Sequence, residues 1–319
     1  MTHASDPPRL LVTGGSGFLG RYLAPALADR FEVVLSGRNN KQNALAAAET
    51  GCRVIPMDVS NIESVRDAMV EITPRVVVHA AATKFVDLAE REPMECVDIN
   101  VSGSQNVARV AIDRGVDCVI GISTDKAAPP IRNTYGLSKA LMERMFCSMN
   151  HKTATRFACV RYGNVAWSTG SVLWAWKHMH DASGVIGSTG PEMRRFFFTV
   201  DEAVNLVATA IREIELIQGK VLSRYMKSAE IRDLLTVWIQ QKGGRWERIE
   251  GRPGERIDEY LIGEIELPFT SSLTFDGVDH YLISFNERAA TPVSRGLSSA
   301  NTERLSRDEM IALIDNPTE

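Results

Sequence analysis

A chain of 319 residues can bury a large core and divide into about two domains, while 44% hydrophobic residues and a net charge of −4 argue against disorder and against a polyanion-binding surface. No nucleic-acid partner is expected, and no membrane partner either, because no segment approaches the ~20 consecutive apolar residues of a membrane span. Met1 to Pro8 lack the charged-then-apolar order of a signal peptide, so the default expectation is a cytoplasmic location. The five cysteines, Cys52, Cys96, Cys118, Cys147 and Cys159, are odd in number and have no C-x-x-C spacing. They read as reduced core residues, and no metal site is expected.

Through the first half, short apolar runs at 10–12, 33–35, 54–57, 76–79, 119–122 and 157–161 alternate with helix-period segments at 21–29, 62–72, 102–114 and 137–150. That alternation predicts an α/β fold, a Rossmann-type doubly wound parallel sheet with helices on both faces. Beyond residue 162 the rhythm loosens. The expected division is a dinucleotide-binding domain over 1–163 and a smaller, mainly substrate-binding region over 164–319. A helix near 201–214, with apolar Ala203, Val204, Leu206, Val207 and Ile211, is expected to pack back on the first domain.

The first run leads into Gly14-Gly15-Ser16-Gly17-Phe18-Leu19-Gly20. Glycines between a strand and a helix let the backbone approach a pyrophosphate, whose charge then lies at the helix N-terminus. Residues 14 and 16–20 are therefore candidate cofactor contacts. An acid about 20 positions further on would accept from the ribose 2′-hydroxyl of NAD, and none is present. Ser36 and Arg38 stand there instead, suited to a 2′-phosphate, so NADP is the expected cofactor. Asp58, after the third run, suits either the adenine amino group or a helix cap.

The fifth run ends at Ser123-Thr124-Asp125-Lys126, followed by Tyr135 and Lys139, four apart and so on one helix face. A phenol has an ordinary pKa near 10, and a neighbouring ammonium favours its ionised form. Such a phenol can take a hydroxyl proton while hydride leaves for the cofactor.

From the glycine turn through His79-Ala80-Ala81-Ala82-Thr83-Lys84 and Asn100 to Tyr135 and Lys139, the chain resembles the extended short-chain dehydrogenase/reductases. Within them it resembles the inverting UDP-N-acetylglucosamine 4,6-dehydratases, by Ser123 to Ala127, Arg161-Tyr162-Gly163-Asn164-Val165, Arg195-Phe196, Arg252-Pro253-Gly254-Glu255 and the tail from Ser298 to Ser306. Simple epimerases of the superfamily usually carry Ser or Thr where Asp125-Lys126 stands. The resemblance implies that Val59, Ala80, Ala81, Ala82 and Asn100 join the cofactor site. It assigns Lys126 as the base at C5 of a hexose oxidised at C4, and Asp125 as the acid for the departing C6 hydroxyl. Lys126 must then be neutral, and burial together with the cation Lys139 is expected to lower its pKa from about 10.4; burial would keep Asp125 protonated. Ser123 or Thr124 would orient the C4 hydroxyl, or simply make a structural hydrogen bond.

By the same resemblance Lys84, Asn164, Arg195, Arg252 and Glu255 bind the nucleotide sugar, and Met226 and Lys227 line a nucleobase pocket. A homodimer or larger homo-oligomer through the helices at 102–114 and 137–150 is implied. Two departures stand out: the stretch between Lys126 and Tyr135 is one residue longer than the family pattern, and Trp167 is expected beside the sugar pocket. An epimerase or 5,6-dehydratase on the same fold, and a non-catalytic dinucleotide sensor, are the competing readings.

Overall fold

The computed structural model describes residues 6–317, so the first five residues, part of the stretch compared with a signal peptide, lie outside it. Six parallel strands, β1 (Arg9–Thr13), β2 (Glu32–Gly37), β3 (Arg53–Pro56), β4 (Val76–His79), β5 (Cys118–Ile122) and β6 (Arg156–Arg161), run in the order 3-2-1-4-5-6. Their central members are apolar almost throughout, as strands covered on both faces must be. The order reverses between β1 and β4, and a crevice opens at such a reversal beyond the strands' carboxyl ends.

The intervening helices are α1 (Phe18–Leu27), α2 (Asn40–Thr50), α3 (Ile62–Ile72), α4 (Val86–Arg91), α5 (Pro93–Val97), α6 (Gly103–Asp113) and α7 (Thr134–Asn150), with a π-helical turn at Asp98–Ser102 before α6. The helix expected over 62–72 has those bounds because Asn61 caps it, its side chain accepting from Glu63 N and Ser64 N. Helix α2 escapes the periodicity argument. It buries only Asn43 and Ala46, so its sequence carries almost no apolar stripe.

The sheet continues past β6 with Val221–Arg224, parallel, and then the antiparallel hairpin Thr270–Phe275 and Val278–Ile283, nine strands in all. Strands from both sides of residue 163 thus share one sheet. The helix expected at 201–214 is Val200–Arg212; a Thr199/Glu202 capping box starts it and it packs against α1 and β6. A second core forms from residues beyond 163, where Trp238 meets Trp176 edge-on at 5.9 Å and Trp167 at 6.0 Å. Trp167 is 5% exposed and its indole N–H donates to Leu313 O at 2.7 Å. The expectation that it crowds the sugar pocket is therefore corrected: the ring turns into this core, where its apolar surface and its N–H are both satisfied.

Below the crevice, Arg161 at the end of β6 is fully buried between two carboxylates. It donates to Glu143 of α7 at 2.9 and 2.6 Å and to Glu266 at 2.9 Å twice, with a further bond to Leu261 O at 3.0 Å. Burial lowers its pKa, but the two carboxylates outweigh that and the net shift is upward. A guanidinium so buried is stable only when its donors are matched, so removing one partner leaves a charge uncompensated. Glu143→Ala is expected to cost about 3–5 kcal/mol in chemical denaturation. A loss below about 1 kcal/mol, the scale of an exposed pair, would contradict that reading.

Candidate active site

A cavity of about 550 Å³ opens at the carboxyl ends of β1, β4, β5 and β6, walled on the far side by residues of the second half. Its floor on the β1 side is the glycine turn. Gly14 has φ of +65°, and a Cβ there would come within 2.7 Å of Ala81 Cα; a Cβ on Gly20 would come within 2.2 Å of Gly15 O. The turn is thus glycine by necessity, pressed between the α1 entry and the strand after it. Gly17 N–H donates to Gly14 O at 3.0 Å, and no side chain caps α1, leaving its first amides for an anion. This cradle fits a dinucleotide pyrophosphate. Gly14, Gly17, Phe18, Leu19, Ala80, Ala81 and Ala82 line the cavity, whereas Ser16 and Gly20 do not: Ser16 Oγ lies against Gly37 and Gly20 against Gly15.

Other expected cofactor contacts behave differently. Ser36 is fully buried and its hydroxyl donates to Val12 O at 3.2 Å, so the expectation that it meets a 2′-phosphate is corrected: it closes β2 against β1. Arg38 is exposed at the end of β2, 3.5 Å from Glu95. Asp58 Oδ1 accepts from Ser60 N at 2.9 Å and Ser60 Oγ at 2.7 Å, closing its own turn, while Val59 is buried against Gly103. Asn100 is fully buried, donating to Thr83 O at 3.0 Å and Ser138 Oγ at 2.9 Å and accepting from Thr83 N at 2.8 Å. It joins the loop after β4 to α7 and does not line the cavity. His79 holds the end of β4 similarly, with Thr13 Oγ1 at 2.8 Å and Ser104 Oγ at 2.9 Å. Burial, with Lys139 nearby, pushes its pKa down to about 3, so it is neutral.

Thr124, Lys126, Tyr135 and Lys139 all line one wall. The longer loop leaves this convergence intact, because Gly136 sits so close to Lys126 O that a Cβ there would approach within 2.2 Å. Asn133 starts α7 by accepting from Gly136 N at 2.8 Å. Lys126 Nζ donates to Asp125 Oδ1 at 2.9 Å and to Asn164 Oδ1 at 3.5 Å. Thr124 Oγ1 donates to the same Asp125 oxygen at 2.9 Å, while Ser123 Oγ donates to Glu143 at 2.6 Å. Asp125 is fully buried behind Lys126, and its Oδ2 finds no hydrogen-bond partner among the described residues.

The electrostatics reverse one expectation. Burial lowers the pKa of Lys126, but Asp125 and Glu259 together outweigh burial and the net shift is upward. The depressed amine is Lys139, pushed by burial down to about 8, with its Nζ donating to Met142 Sδ at 3.1 Å. Tyr135 is pushed up to about 12 by burial, and the cation opposing this is Lys126 rather than Lys139.

Lys84, Asn164, Arg195, Arg252 and Glu255 line the cavity as well. Glu255 accepts from Thr189 Oγ1 at 3.0 Å and Arg252 N at 2.9 Å, and Arg195 donates to Arg194 O at 2.8 Å and Ile257 O at 3.1 Å. Met226 and Lys227 do not reach it, which corrects the nucleobase assignment. Met226 is buried with its sulfur accepting from Gly163 N at 3.3 Å, and Lys227 pairs with Glu303 at 2.7 Å and Glu309 at 2.9 Å. Glu259 is the residue that the sequence reading missed: 2% exposed, on the cavity wall, 3.7 Å from Lys126 Nζ. No spacing rule announces it, because residues 251–259 form neither helix nor strand.

A model of the polysaccharide biosynthesis protein family matches residues 10–273. The inverting UDP-N-acetylglucosamine 4,6-dehydratase of Campylobacter jejuni is 30% identical over 86% of this chain and 82% of its own, and the UDP-glucose 4-epimerase of Rickettsia bellii 32% over 96% and 95%. Among solved structures, Pen from Bacillus thuringiensis superposes with a TM-score of 0.87, 27% identity and 97% of both chains. The UDP-glucose 4-epimerase of Thermus thermophilus, solved with NAD, does so with a TM-score of 0.70, 19% identity, 78% of this chain and 88% of that one. With residues 10–273 matched by the family and these relatives aligned over most of its length, the chain belongs to the polysaccharide biosynthesis protein family, among the nucleotide-sugar dehydratases and epimerases of the extended short-chain dehydrogenase/reductases.

Proposed function

We propose that the protein is an NADP-dependent 4,6-dehydratase of UDP-N-acetylglucosamine that inverts C5. The observation carrying this reading is the 2.9 Å hydrogen bond from Lys126 Nζ, on the cavity wall with Tyr135, to Asp125 buried directly behind it. Interconversion at C4 alone needs only a phenol and a cofactor. A base and an acid next to them serve a second reaction, elimination.

Gly14, Gly17, Phe18 and Ala80 to Ala82 would hold NADP, which would supply the redox chemistry, hydride leaving C4 and returning to C6, while a proton added to C5 from the opposite face completes the product and inverts that centre. Tyr135 takes the C4 hydroxyl proton, helped by the cation that opposes its burial. The C4 ketone acidifies the C5 hydrogen, which Lys126 removes as the neutral amine. Asp125, entering this step as the neutral acid and turning out from behind Lys126, gives its proton to the leaving C6 hydroxyl, and water departs. Arg195, Arg252 and Asn164 hold the diphosphate and sugar by charge-assisted hydrogen bonds. No acid ends β2 to repel a 2′-phosphate, and Arg38 there selects NADP. A homodimer through α6 and α7 completes the reading, supported by Leu137 and Leu141, 58% and 46% exposed and one turn apart on α7. No helix among the described residues is long and apolar enough to cross a membrane, and a cytoplasmic location belongs to the same proposal.

A UDP-sugar epimerase is the second reading, favoured by the Rickettsia relative. Incubation with UDP-N-acetylglucosamine separates the two. Mass spectrometry should find loss of water and NMR an inverted C5, with Lys126→Ala slowing turnover by at least about 100-fold. A product of unchanged mass, altered only at C4, would establish the epimerase instead. Titration with both cofactors should show tighter NADP binding, weakened about tenfold by Arg38→Ala. Tighter NAD binding that ignores this substitution refutes the cofactor assignment.

A further inference from the structure

Lys126 faces a contradiction within the proposed reaction. Its amine must be neutral to take the C5 proton, yet it lies among groups that keep it charged. Of its two carboxylate neighbours, Asp125 is already engaged: its Oδ1 accepts from both Thr124 Oγ1 and Lys126 Nζ at 2.9 Å, and its duty in elimination is to supply a proton. The other neighbour is Glu259, whose Oε1 lies 3.7 Å from Lys126 Nζ and whose Oε2 is buried without a hydrogen-bond partner among the described residues. Its backbone is held rigidly, with Glu259 N–H donating to Ser299 Oγ at 3.0 Å and Ser299 N–H donating to Glu259 O at 2.8 Å.

We propose that Glu259 is a positioning residue that acts through Lys126: it holds the ammonium beside the cavity and takes its proton when the amine must serve as base. This rests on the dehydratase reading above. In the transfer one N–H bond of Lys126 breaks, its electron pair staying on nitrogen, and an O–H bond forms on Glu259. An ammonium–carboxylate pair becomes an amine and a carboxylic acid, and no net charge enters or leaves the buried site. The amine pair then takes the C5 proton, which restores the ammonium. Approach by about 1 Å brings the two groups from 3.7 Å to hydrogen-bonding distance.

The surroundings suit a carboxyl that changes state. Burial raises the pKa of Glu259; Lys126 lowers it, Asp125 raises it, and Arg195 and Arg256 lower it, with the net shift upward. These are the charged groups that face it, Arg256 Nε being 3.6 Å away and making no hydrogen bond to it. The proton from Lys126 arrives on Oε1, the oxygen 3.7 Å from Nζ, and the neutral acid is the form that a buried site favours.

The test compares wild type with Glu259→Gln and Glu259→Asp in two measurements. Without any sugar, NMR of the ¹⁵N-labelled lysine side chains, with the Lys126 signal assigned by its loss in Lys126→Ala, follows the amine through its titration. Glu259→Gln should lower the midpoint by about one pH unit or more, and Glu259→Asp should restore part of that shift. An unmoved midpoint overturns the proposal, whatever the reaction is. With UDP-N-acetylglucosamine in D₂O, Glu259→Gln should slow deuterium exchange at C5 about tenfold more than it slows cofactor reduction, since only the former needs Lys126 as base. Equal slowing of both overturns the relay and leaves a structural role. Wild type that neither reduces its cofactor nor exchanges C5 with this sugar counts against the dehydratase reading, and the sugar-free titration then decides the Glu259–Lys126 coupling by itself.

Discussion

The buried guanidinium of Arg161 is the constraint around which the cavity wall bearing Lys126, Tyr135 and Lys139 is assembled. It ends β6 and is clamped by Glu143 from α7 and Glu266 from the turn Glu264–Phe269, which leads into the last hairpin of the sheet. Glu143 also accepts from Ser123, at the end of β5. One charge network therefore relates the strand that ends beside the acid–base loop, the helix that bears Tyr135 and Lys139, and the C-terminal segments that close the cavity. Three ionised groups out of water carry a large desolvation penalty, and this one is offset because every guanidinium nitrogen has a carboxylate or carbonyl partner. The geometry of a planar fork between two carboxylates is also directional, so the elements attached to it are set in angle as well as distance.

Within the cavity wall the same physics acts with opposite result on two lysines. Lys139 is buried with only a thioether to accept from it, and desolvation wins, leaving its pKa near 8. Lys126 is partly exposed to the cavity and faces two carboxylates, and attraction wins. The amine nearer neutrality at rest is thus the one on the Tyr135 helix. Lys126, the base of the proposed reaction, rests charged, with Glu259 as a second carboxylate beside it.

Much of the cofactor half was legible. Strand and helix alternation pointed to the doubly wound sheet, because strands covered on both faces must be apolar runs, and the glycine turn announced itself because neither Gly14 nor Gly20 has room for a Cβ. Helix α2 was not legible, since it buries too little to leave a periodic trace. Ser36 was misplaced for a different reason: a serine at a strand end reads equally as a ligand contact or as a strand clamp, and only the 3.2 Å bond to Val12 O distinguishes them. Met226, Lys227 and Trp167 failed likewise: Met226 packs in the main core, Lys227 makes an ion pair with Glu303, and Trp167 packs in the second core.

The sequence by itself determined the class of fold, the cradle for a dinucleotide and the set Thr124, Asp125, Lys126, Tyr135 and Lys139, because these depend on neighbours within one strand, one turn or one helical face. Tertiary structure alone decided the protonation bias of the two lysines and the presence of Glu259 opposite Lys126. Those depend on which distant segments bring charge and exclude water, and Glu259 stands 133 positions along the chain from the amine it faces at 3.7 Å. Local spacing records which chemistry is available; the field in which that chemistry operates is a sum over the whole folded chain.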